Sequence, residues 1–280
     1  MKNIRSKSIR LVSCDLNGTL VHQHTMMDMI RVGFPHSPER YEKAKDVFTR
    51  QTSGLLSMKE TFEIAGPLTK GLSLRNAVEY ACSEMRFLEG FEVFISMLHK
   101  KGIFFVINST GYSVTAEVIR YLYGPEKFYG MICNRLIFGW EGNSVRQIGE
   151  KEMADLVKNY FIGGKSKDVY DNILATGEVE LCIRDESEKA RLIFEIAERA
   201  DISREAIAHI GDTMGDSRGI TEVAGNGGLG IAFNYNEALE NHLKGVLHRE
   251  NIPGKIVLTE PKSETSDIRH LSGILFPRQS

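Results

Sequence analysis

Three short apolar runs, each ending abruptly in polar residues, constrain the fold of this chain most strongly. The runs and the residues that follow them are Ile9–Cys14 before Asp15, Ile103–Ile107 before Asn108-Ser109, and Ala206–Ile210 before Gly211-Asp212. Runs of this kind, separated by helical periodicity, are typical of interior parallel strands that helices cover on both faces. The sequence therefore predicts an α/β fold. Because ligands of such sheets bind beyond the carboxyl ends of the strands, the polar residues at those ends are the first functional candidates.

Between the first two runs, apolar residues recur at helical spacing. Three stretches have this pattern, with apolar positions at Tyr41, Ala44, Val47 and Phe48, then Met58, Phe62 and Ala65, then Leu74, Ala77, Val78, Ala81 and Met85. Amphipathic helices inserted between two strands predict a helical cap over residues 21–87. Residues 1–20 and 88–280 would form the core domain, with a second, smaller insertion at 148–183 that carries one amphipathic helix.

The charge and cysteine content narrows the partners and the compartment. The 280 residues include 35 Lys and Arg against 37 Asp and Glu, without a long run of either sign, so we expect no nucleic-acid or membrane partner.

Four cysteines without a Cys-x-x-Cys pair argue against a zinc cluster or a disulfide scaffold. The first apolar segment is too short for a signal peptide or a membrane span. We expect a cytoplasmic protein, whose oligomeric state the sequence leaves open.

The strand ends carry the residues of a possible cation site with a nucleophile. Asp15 precedes Leu-Asn17-Gly18-Thr19, and a carboxylate at a strand end can present one oxygen to an electrophile while the other holds a cation. Lys189 shares the inward, apolar stripe at the start of its helix, where a solvated lysine would more often face outward. Asp212 and Asp216, four residues apart after a strand, can converge with Asp15 on one hard cation.

Four motifs at these positions follow one another as they do in a known family. They are Asp15-x-x-Gly-Thr, Ser109-Thr-Gly-Tyr112 after a strand, Lys189, and Gly211-Asp212-x-x-x-Asp216. With them the chain resembles the haloacid dehalogenase-like (HAD) hydrolases, nearest their phosphoserine phosphatase-like branch. Asn134-Arg-Leu-Ile137 and Gly230-Ile-Ala-Phe-Asn234 extend the resemblance to most of the chain outside 148–183. The resemblance implies a Rossmann-like parallel sheet core with an inserted helical cap.

The resemblance also implies a role for each motif residue. Asp15 would be the nucleophile that forms an aspartyl-phosphate, and Ser109 and Lys189 would bind the phosphoryl group of a small phosphorylated substrate. Asp15, Asp212 and the backbone carbonyl of Asn17 would hold Mg²⁺, while Asp216 would orient metal-bound water or Lys189. Phosphoryl transfer depends mainly on positioning and charge neutralisation, which a cation, a lysine and hydroxyl or amide donors supply.

Asn17 is the departure from the family pattern with the largest consequence. Phosphatases of the family ordinarily carry aspartate there, which protonates the leaving group and then activates water. An amide cannot shuttle a proton, so hydrolysis of ordinary phosphomonoesters should fall by about 10²–10⁴-fold. We expect a phosphohydrolase or phosphotransferase that prefers a good leaving group such as that of an acyl phosphate. Two alternatives stay open: a carbon-acting, dehalogenase-type enzyme, and a catalytically impaired member that binds phosphate or a partner.

Phosphoserine itself is not the expected substrate. In phosphoserine phosphatases a glutamate after the first motif and an arginine in the cap hold the amino acid, whereas this chain has His24 and, approximately, Ala65 at those positions. A zwitterionic substrate would be left with unpaired charges in such a site.

Overall fold

A central sheet organises the part of the chain that the computed structural model describes, which is residues 8–141, 146–163, 167–249 and 251–277. Eight strands lie in these ranges: β1 (Leu11–Cys14), β2 (Phe104–Tyr112), β3 (Gly130–Trp140), β4 (Arg146–Gln147), β5 (Ile173–Glu180), β6 (Ile207–Gly211), β7 (Leu229–Tyr235) and β8 (Lys255–Pro261). Along the sheet the order is β4-β3-β2-β1-β6-β7-β8, and β5 also pairs with β3. The six strands from β3 to β8 along this order pair in parallel, whereas β4 and β5 run antiparallel to β3. The predicted α/β fold with a parallel sheet core is confirmed.

The three apolar runs form the neighbouring strands β1, β2 and β6, as predicted. The end of β2 differs from the prediction. This strand continues past Ile107 to Tyr112 because it stays paired with β3, with a register shift between Ser109 and Tyr112. Ser109 therefore lies within the strand and not after it.

Helices cover both faces of the sheet. They are α1 (Thr25–Gly33), α2 (Pro38–Thr52), α3 (Met58–Leu68), α4 (Leu74–Ser83), α5 (Phe91–Lys100), α6 (Ser113–Tyr123), α7 (Glu150–Ile162), α8 (Glu186–Arg199), α9 (Ser217–Gly225), α10 (Glu237–Arg249) and α11 (Leu271–Leu275). Phe105 packs in one apolar cluster with Phe94 of α5, while its neighbour Val106 packs in another with Ile193 of α8. This alternation places helices on opposite faces of the strands. No helix in the described ranges is long and apolar enough to cross a membrane.

Helices occupy the segment between β1 and β2 where the sequence predicts a cap. The predicted cap, residues 21–87, holds four helices, α1 to α4, although the apolar spacing predicted three, and α5 follows it before β2. The additional helix is α1, which buries Met26, Met29 and Ile30. Ser57 begins α3 with a capping box: its hydroxyl accepts a hydrogen bond from the Glu60 backbone N–H, and the Glu60 carboxylate accepts one from the Ser57 backbone N–H.

The second insertion packs against the cap helices. It contains the predicted helix, α7, and also β5, which was not predicted. The Ala175 backbone N–H of β5 donates to the Leu72 carbonyl at 2.8 Å, and the Gly71 N–H donates to the Ala175 carbonyl at 2.9 Å. Val157 and Ala175 share one hydrophobic cluster with residues of α1 to α4. The domain boundaries at 21–87 and 148–183 stay a prediction, and the two segments form one continuous apolar unit.

The carboxyl edge of the sheet has a switch point between β1 and β6. The chain adds β2 and β3 on one side of β1 and then β6, β7 and β8 on the other. Cys14 pairs with Ile210, so Asp15 and Asp212 leave the sheet close to each other. Ligands of open α/β sheets bind in the crevice at such a point.

Candidate active site

Lys189 lies between two carboxylates at this edge. Its Nζ donates to Asp15 Oδ1 at 2.9 Å and to Asp216 Oδ1 at 2.5 Å, and the residue is only 1% exposed. Helix α8 presents the lysine there because it begins at Asp185, whose carboxylate accepts from the Ser187 N–H, and because its apolar face is buried. The inward orientation predicted from the helical stripe is confirmed.

The loop after β6 holds the two remaining aspartates. Asp216 Oδ2 accepts from the backbone N–H groups of Asp212 at 3.2 Å and Thr213 at 3.3 Å. Thr19 Oγ1 donates to Asp212 Oδ1 at 3.2 Å. Gly18 allows the loop after β1 to lie directly against Asp212. Its φ is +81°, and a Cβ at this position would lie 2.0 Å from Asp212 Oδ2. Only glycine combines that conformation with that contact.

Asp15, Asp212 and Asp216 form a candidate cation site. One oxygen of each lies within 4.8 Å of the others, and all three residues are buried. When all three carboxylates are ionised, the Lys189 ammonium, which donates to Asp15 and Asp216, leaves two negative charges uncompensated. Buried charges require partners, and carboxylate oxygens are the ligands that hard divalent cations prefer. The donor set therefore fits one divalent cation such as Mg²⁺.

The pKa values of the cluster reflect this excess of negative charge. Burial raises the pKa of Asp15 to about 6, although the Lys189 ammonium offsets part of the effect. Burial and the charges of Asp15 and Asp216 raise the pKa of Asp212 well above its usual range. Burial opposes ionisation of Asp216 as well, but Lys189 and His209 outweigh it and hold that pKa at about 2. A bound divalent cation would favour the ionised form of each carboxylate.

Asn17 turns its amide oxygen toward Thr25 and its amide nitrogen toward the side of Ser109. Asn17 Oδ1 accepts from the Thr25 backbone N–H at 2.9 Å and from Thr25 Oγ1 at 2.7 Å. Because a backbone N–H can only donate, the amide oxygen must face Thr25. The nitrogen lies on the side of Ser109: a Cβ at Gly111 would be 3.3 Å from both Asn17 Nδ2 and Ser109 Oγ. Asn17 is thus fixed as a hydrogen-bond donor.

Ser109 completes the set of predicted site residues. It is fully buried, its Oγ accepts from the Gly111 N–H at 3.1 Å, and its hydrogen bond to Asp15 lowers the pKa of that carboxyl. The structure therefore brings all the predicted residues together at one edge of the sheet. The role of each residue stays a prediction.

A buried polar layer beneath Lys189 was not predicted. Asn108 Nδ2 donates to Ser13 Oγ at 3.1 Å and to the Lys189 carbonyl at 2.9 Å. Ser13 Oγ lies 3.0 Å from His209 Nδ1, and His209 Nε2 lies 3.6 Å from Asp216 Oδ1. These three residues sit in the adjacent strands β1, β2 and β6. The sequence signal that could have indicated this layer is a single polar residue within an otherwise apolar run, as Ser13 and His209 are.

A cavity of about 280 Å³ opens beside the cluster. Its inner side, as we call it, is formed by Asp15, Asn17, Gly18, Thr110, Lys189, Asp212, Thr213, Gly215 and Asn236. Its outer side is formed by His22, Gln23, His24, Met27, Phe48, Thr49, Gln51, Thr52 and Lys262. Of the two positions compared with phosphoserine phosphatases, His24 lines the cavity, whereas Ala65 lies in the apolar cluster of the cap helices.

His24 is a neutral residue of the outer side. Its ring lies 4.5 Å from that of Phe48, centroid to centroid, and burial lowers its pKa to about 4. Its Nδ1 has no hydrogen-bond partner in the described residues. The imidazole is therefore uncharged near neutral pH.

Comparison with known proteins agrees with this geometry. No protein-family model matches the chain. A phosphoserine phosphatase of Archaeoglobus fulgidus is 25% identical over 248 residues, which are 88% of this chain and 58% of the relative. The solved phospho-aspartyl intermediate analogue of phosphoserine phosphatase has a TM-score of 0.67 and 19% identity, with 96% of this chain and 99% of that chain covered. A HAD family hydrolase from Salmonella enterica serovar Typhi has a TM-score of 0.64 and 16% identity, with 97% and 73% covered.

The chain therefore resembles a phosphoserine phosphatase in sequence and shares the fold of solved HAD phosphatases. The predicted resemblance and the predicted fold are thereby confirmed. The chain spans less than two thirds of the length of the curated relative that it matches. The likeness to the solved structures concerns the fold, so its activity, substrate and partners are argued below from its own residues.

Proposed function

We propose that this protein is a Mg²⁺-dependent phosphohydrolase or phosphotransferase that acts on small molecules through an aspartyl-phosphate. One observation carries the proposal: Asp15, Lys189, Asp212 and Asp216 form a buried, hydrogen-bonded cluster that opens into a single cavity. An electrophile in that cavity meets a carboxylate, an ammonium and the Asn17 amide together. Phosphoryl transfer requires this combination of nucleophile and charge neutralisation.

Asp15 would attack the phosphorus atom. One of its oxygens forms the new bond while the bond from phosphorus to the leaving oxygen breaks, and the electron pair of that bond stays on the leaving oxygen. Lys189 and Ser109 already donate to Asp15, so they are placed to donate to the phosphoryl oxygens in the transition state. Asp216 positions Lys189 for this role through their direct hydrogen bond.

Mg²⁺ fits the remaining donors. Asp15, Asp212 and the backbone carbonyl of Asn17 would hold it, and Thr19 orients Asp212 through its hydroxyl. When bound, the cation neutralises charge that develops on the phosphoryl oxygens.

Asn17 determines which leaving groups can depart. Its nitrogen can donate a hydrogen bond to the leaving oxygen but cannot transfer a proton, because an amide does not ionise in this pH range. A carboxylate leaving group, as in an acyl phosphate, is stable as an anion and needs no proton, whereas an alkoxide needs one. The same residue cannot activate water in the second step, which slows hydrolysis of the aspartyl-phosphate and favours transfer to a better nucleophile.

The outer side of the cavity argues against phosphoserine. Among its residues in the described chain there is no aspartate or glutamate. The α-ammonium group of phosphoserine would lose its hydration there without gaining a counter-charge. A leaving group without an ammonium group is favoured.

The test measures Mg²⁺-dependent phosphate release from acetyl phosphate and from an alkyl phosphate such as ethyl phosphate. We expect the kcat/KM of wild type to favour acetyl phosphate, Asn17→Asp to gain about 10²-fold on the alkyl phosphate, and Asp15→Asn to lose both activities. Asp155→Asn, which removes an exposed carboxylate on α7, serves as the control. Equal kcat/KM of wild type for both compounds would contradict the role of Asn17, because this ratio reports the step in which the leaving group departs. Binding of a phosphate analogue without turnover in any variant would instead support a phosphate-binding member, and halide release from haloacids a dehalogenase.

A further inference from the structure

Lys262 is an exposed lysine at the mouth of the cavity. It follows β8, and its backbone N–H donates to the Tyr235 carbonyl at 3.0 Å. The next residue, Ser263, donates its backbone N–H to Asn234 Oδ1 at 2.8 Å. Asn234 is buried, and its Nδ2 donates in turn to the Gly18 carbonyl. The loop that carries Lys262 is therefore fastened to the loop that carries Asn17 and Gly18.

Within the described ranges, the Lys262 ammonium has no direct partner. The lining contains one other cation in the described residues, Lys189, which is bonded to two carboxylates. Lys262 forms no ion pair or side-chain hydrogen bond with any described residue. The two acidic residues of its own loop lie near other groups. Glu264 Oε2 is 3.6 Å from Arg86 Nη1 and 3.8 Å from His22 Nδ1, and Asp267 forms an ion pair with Arg269. Lys262 is close enough to Asp212 to lower the pKa of that carboxyl, but a cation at Asp212 would neutralise this charge.

Among the described residues, the rest of the outer side carries no negative charge that could pair with the Lys262 ammonium. Its other residues are two histidines, amides, hydroxyls, a thioether and a phenyl ring. An ammonium held over such a surface attracts an anionic ligand group. The cavity, at about 280 Å³, lies at the lower limit of the roughly 300–1,000 Å³ that is usual for small-molecule sites. A substrate of this size places its leaving group within reach of the mouth.

We propose that Lys262 binds a second anionic group, a carboxylate or a second phosphate, on the substrate of this enzyme. The proposal rests on the proposed function, because it assumes that the phosphoryl group occupies the inner side. The substrate class is then a small phosphorylated acid or a bisphosphate. Lys262 determines specificity and takes no part in the transfer step.

Two phosphonates of matched shape test the proposal. 3-Phosphonopropionate ends in a carboxylate and propylphosphonate in a methyl group, and neither can be hydrolysed. Isothermal titration calorimetry with saturating Mg²⁺ should show 3-phosphonopropionate binding wild type about 10-fold more tightly, as expected for one partly solvated charge pair. Lys262→Met should bind 3-phosphonopropionate no more tightly than propylphosphonate, and Lys262→Arg should keep the preference. Ethane-1,2-diphosphonate distinguishes a second phosphate from a carboxylate by its rank against 3-phosphonopropionate.

Lys255→Met is the matched control, because Lys255 is exposed at the opposite end of the same strand. It should retain the full preference for the carboxylate. Equal affinity of wild type for the two phosphonates would overturn the role of Lys262 and leave the proposed function intact. A loss of both affinities in Lys262→Met would also overturn it, since Lys262 would then act on the inner side. If wild type binds neither compound, the proposed function fails and this proposal fails with it.

Discussion

The inner and outer sides of the cavity are built in opposite ways. On the inner side, Asp15, Lys189 and Asp212 are between 1% and 5% exposed, and each is held by at least one hydrogen bond. On the outer side, Lys262 is exposed, and one ring nitrogen of His24 has no hydrogen-bond partner among the described residues. A preorganised set of buried charges suits one reaction, since these groups need not rearrange as charge develops in the transition state. A loosely bonded surface can accept a range of leaving groups.

The supporting elements explain this difference. Residues of the inner side lie in β2, follow β1, β6 or β7, or stand on α8, and the layer of Ser13, Asn108 and His209 lies beneath Lys189. Residues of the outer side come from α1 and α2, from the segment that precedes α1, and from the loop after β8. Substitutions on the inner side should therefore change stability and catalysis together, while those on the outer side should change substrate preference.

Removal of the central ammonium should have the largest effect. In Lys189→Met, three buried carboxylates lose their cation, which should destabilise the metal-free protein by about 3–5 kcal/mol. Urea unfolding at neutral pH measures this loss, and added Mg²⁺ should recover part of it. The control Lys158→Met, at an exposed position of α7, should leave the unfolding midpoint unchanged. A similar loss in both variants would show that the inner side does not depend on this charge.

The metal-free protein should lose stability as the pH rises through the titration of Asp15. The folded-state pKa of about 6 lies above the ordinary value of about 3.9, so the folded state binds more protons and stability falls between about pH 4 and pH 6. Asp216 acts with the opposite sign: its pKa of about 2 gives stability that is lost only as the pH falls below about 4. Mg²⁺ should therefore raise the Tm more at pH 7 than at pH 5. Thermal unfolding in EDTA and in Mg²⁺, at pH 5 and at pH 7, measures the increase in Tm that Mg²⁺ causes. An equal increase at the two pH values would count against the cation site.

Gly18→Ala should have a smaller effect that is still specific to the inner side. The new Cβ must displace Asp212 and adopt a left-handed conformation, which alone costs about 1–2 kcal/mol. Gly54→Ala is the matched control, since its φ of +77° imposes the same conformation, and the described residues other than its chain neighbours place no atom within 4 Å of such a Cβ. Both variants should lose stability, but only Gly18→Ala should lose affinity for Mg²⁺ in a calorimetric titration. Equal affinities would show that Asp212 is not a ligand.

The sequence predicts the inner side more completely than the outer side. Asp15 and Asp212 follow apolar runs whose pairing in a parallel sheet is fixed by burial, so their proximity follows from local pattern and topology. Ser109 is the exception, because continued pairing of β2 with β3 draws a polar segment into the strand. Local composition cannot predict that pairing, which depends on the partner strand.

Lys262, β5 and α1 are features of the cavity and the fold that the sequence did not predict, and each has a physical reason. Lys262 reaches the cavity through the hydrogen bonds of Asn234 to Ser263 and Gly18, which join distant parts of the chain. β5 pairs antiparallel with β3 and contacts the cap helices. Both are tertiary contacts, which the local sequence does not determine. α1 begins at His24 without a side-chain cap, so the usual sequence signal of a helix start is absent.

The smallest effect is expected at His24, and it tests whether the two sides are truly separate. His24→Phe keeps the ring contact with Phe48 and removes a ring nitrogen that has no partner in the described chain, so stability should change by less than about 1 kcal/mol. Steady-state kinetics with acetyl phosphate should show kcat within about threefold of wild type, because a neutral residue of the outer side holds no proton that the transfer step uses. A fall in kcat of about 10²-fold, with stability preserved, would mean that the imidazole acts as a base in place of the missing aspartate at position 17. The chemistry would then extend across both sides of the cavity.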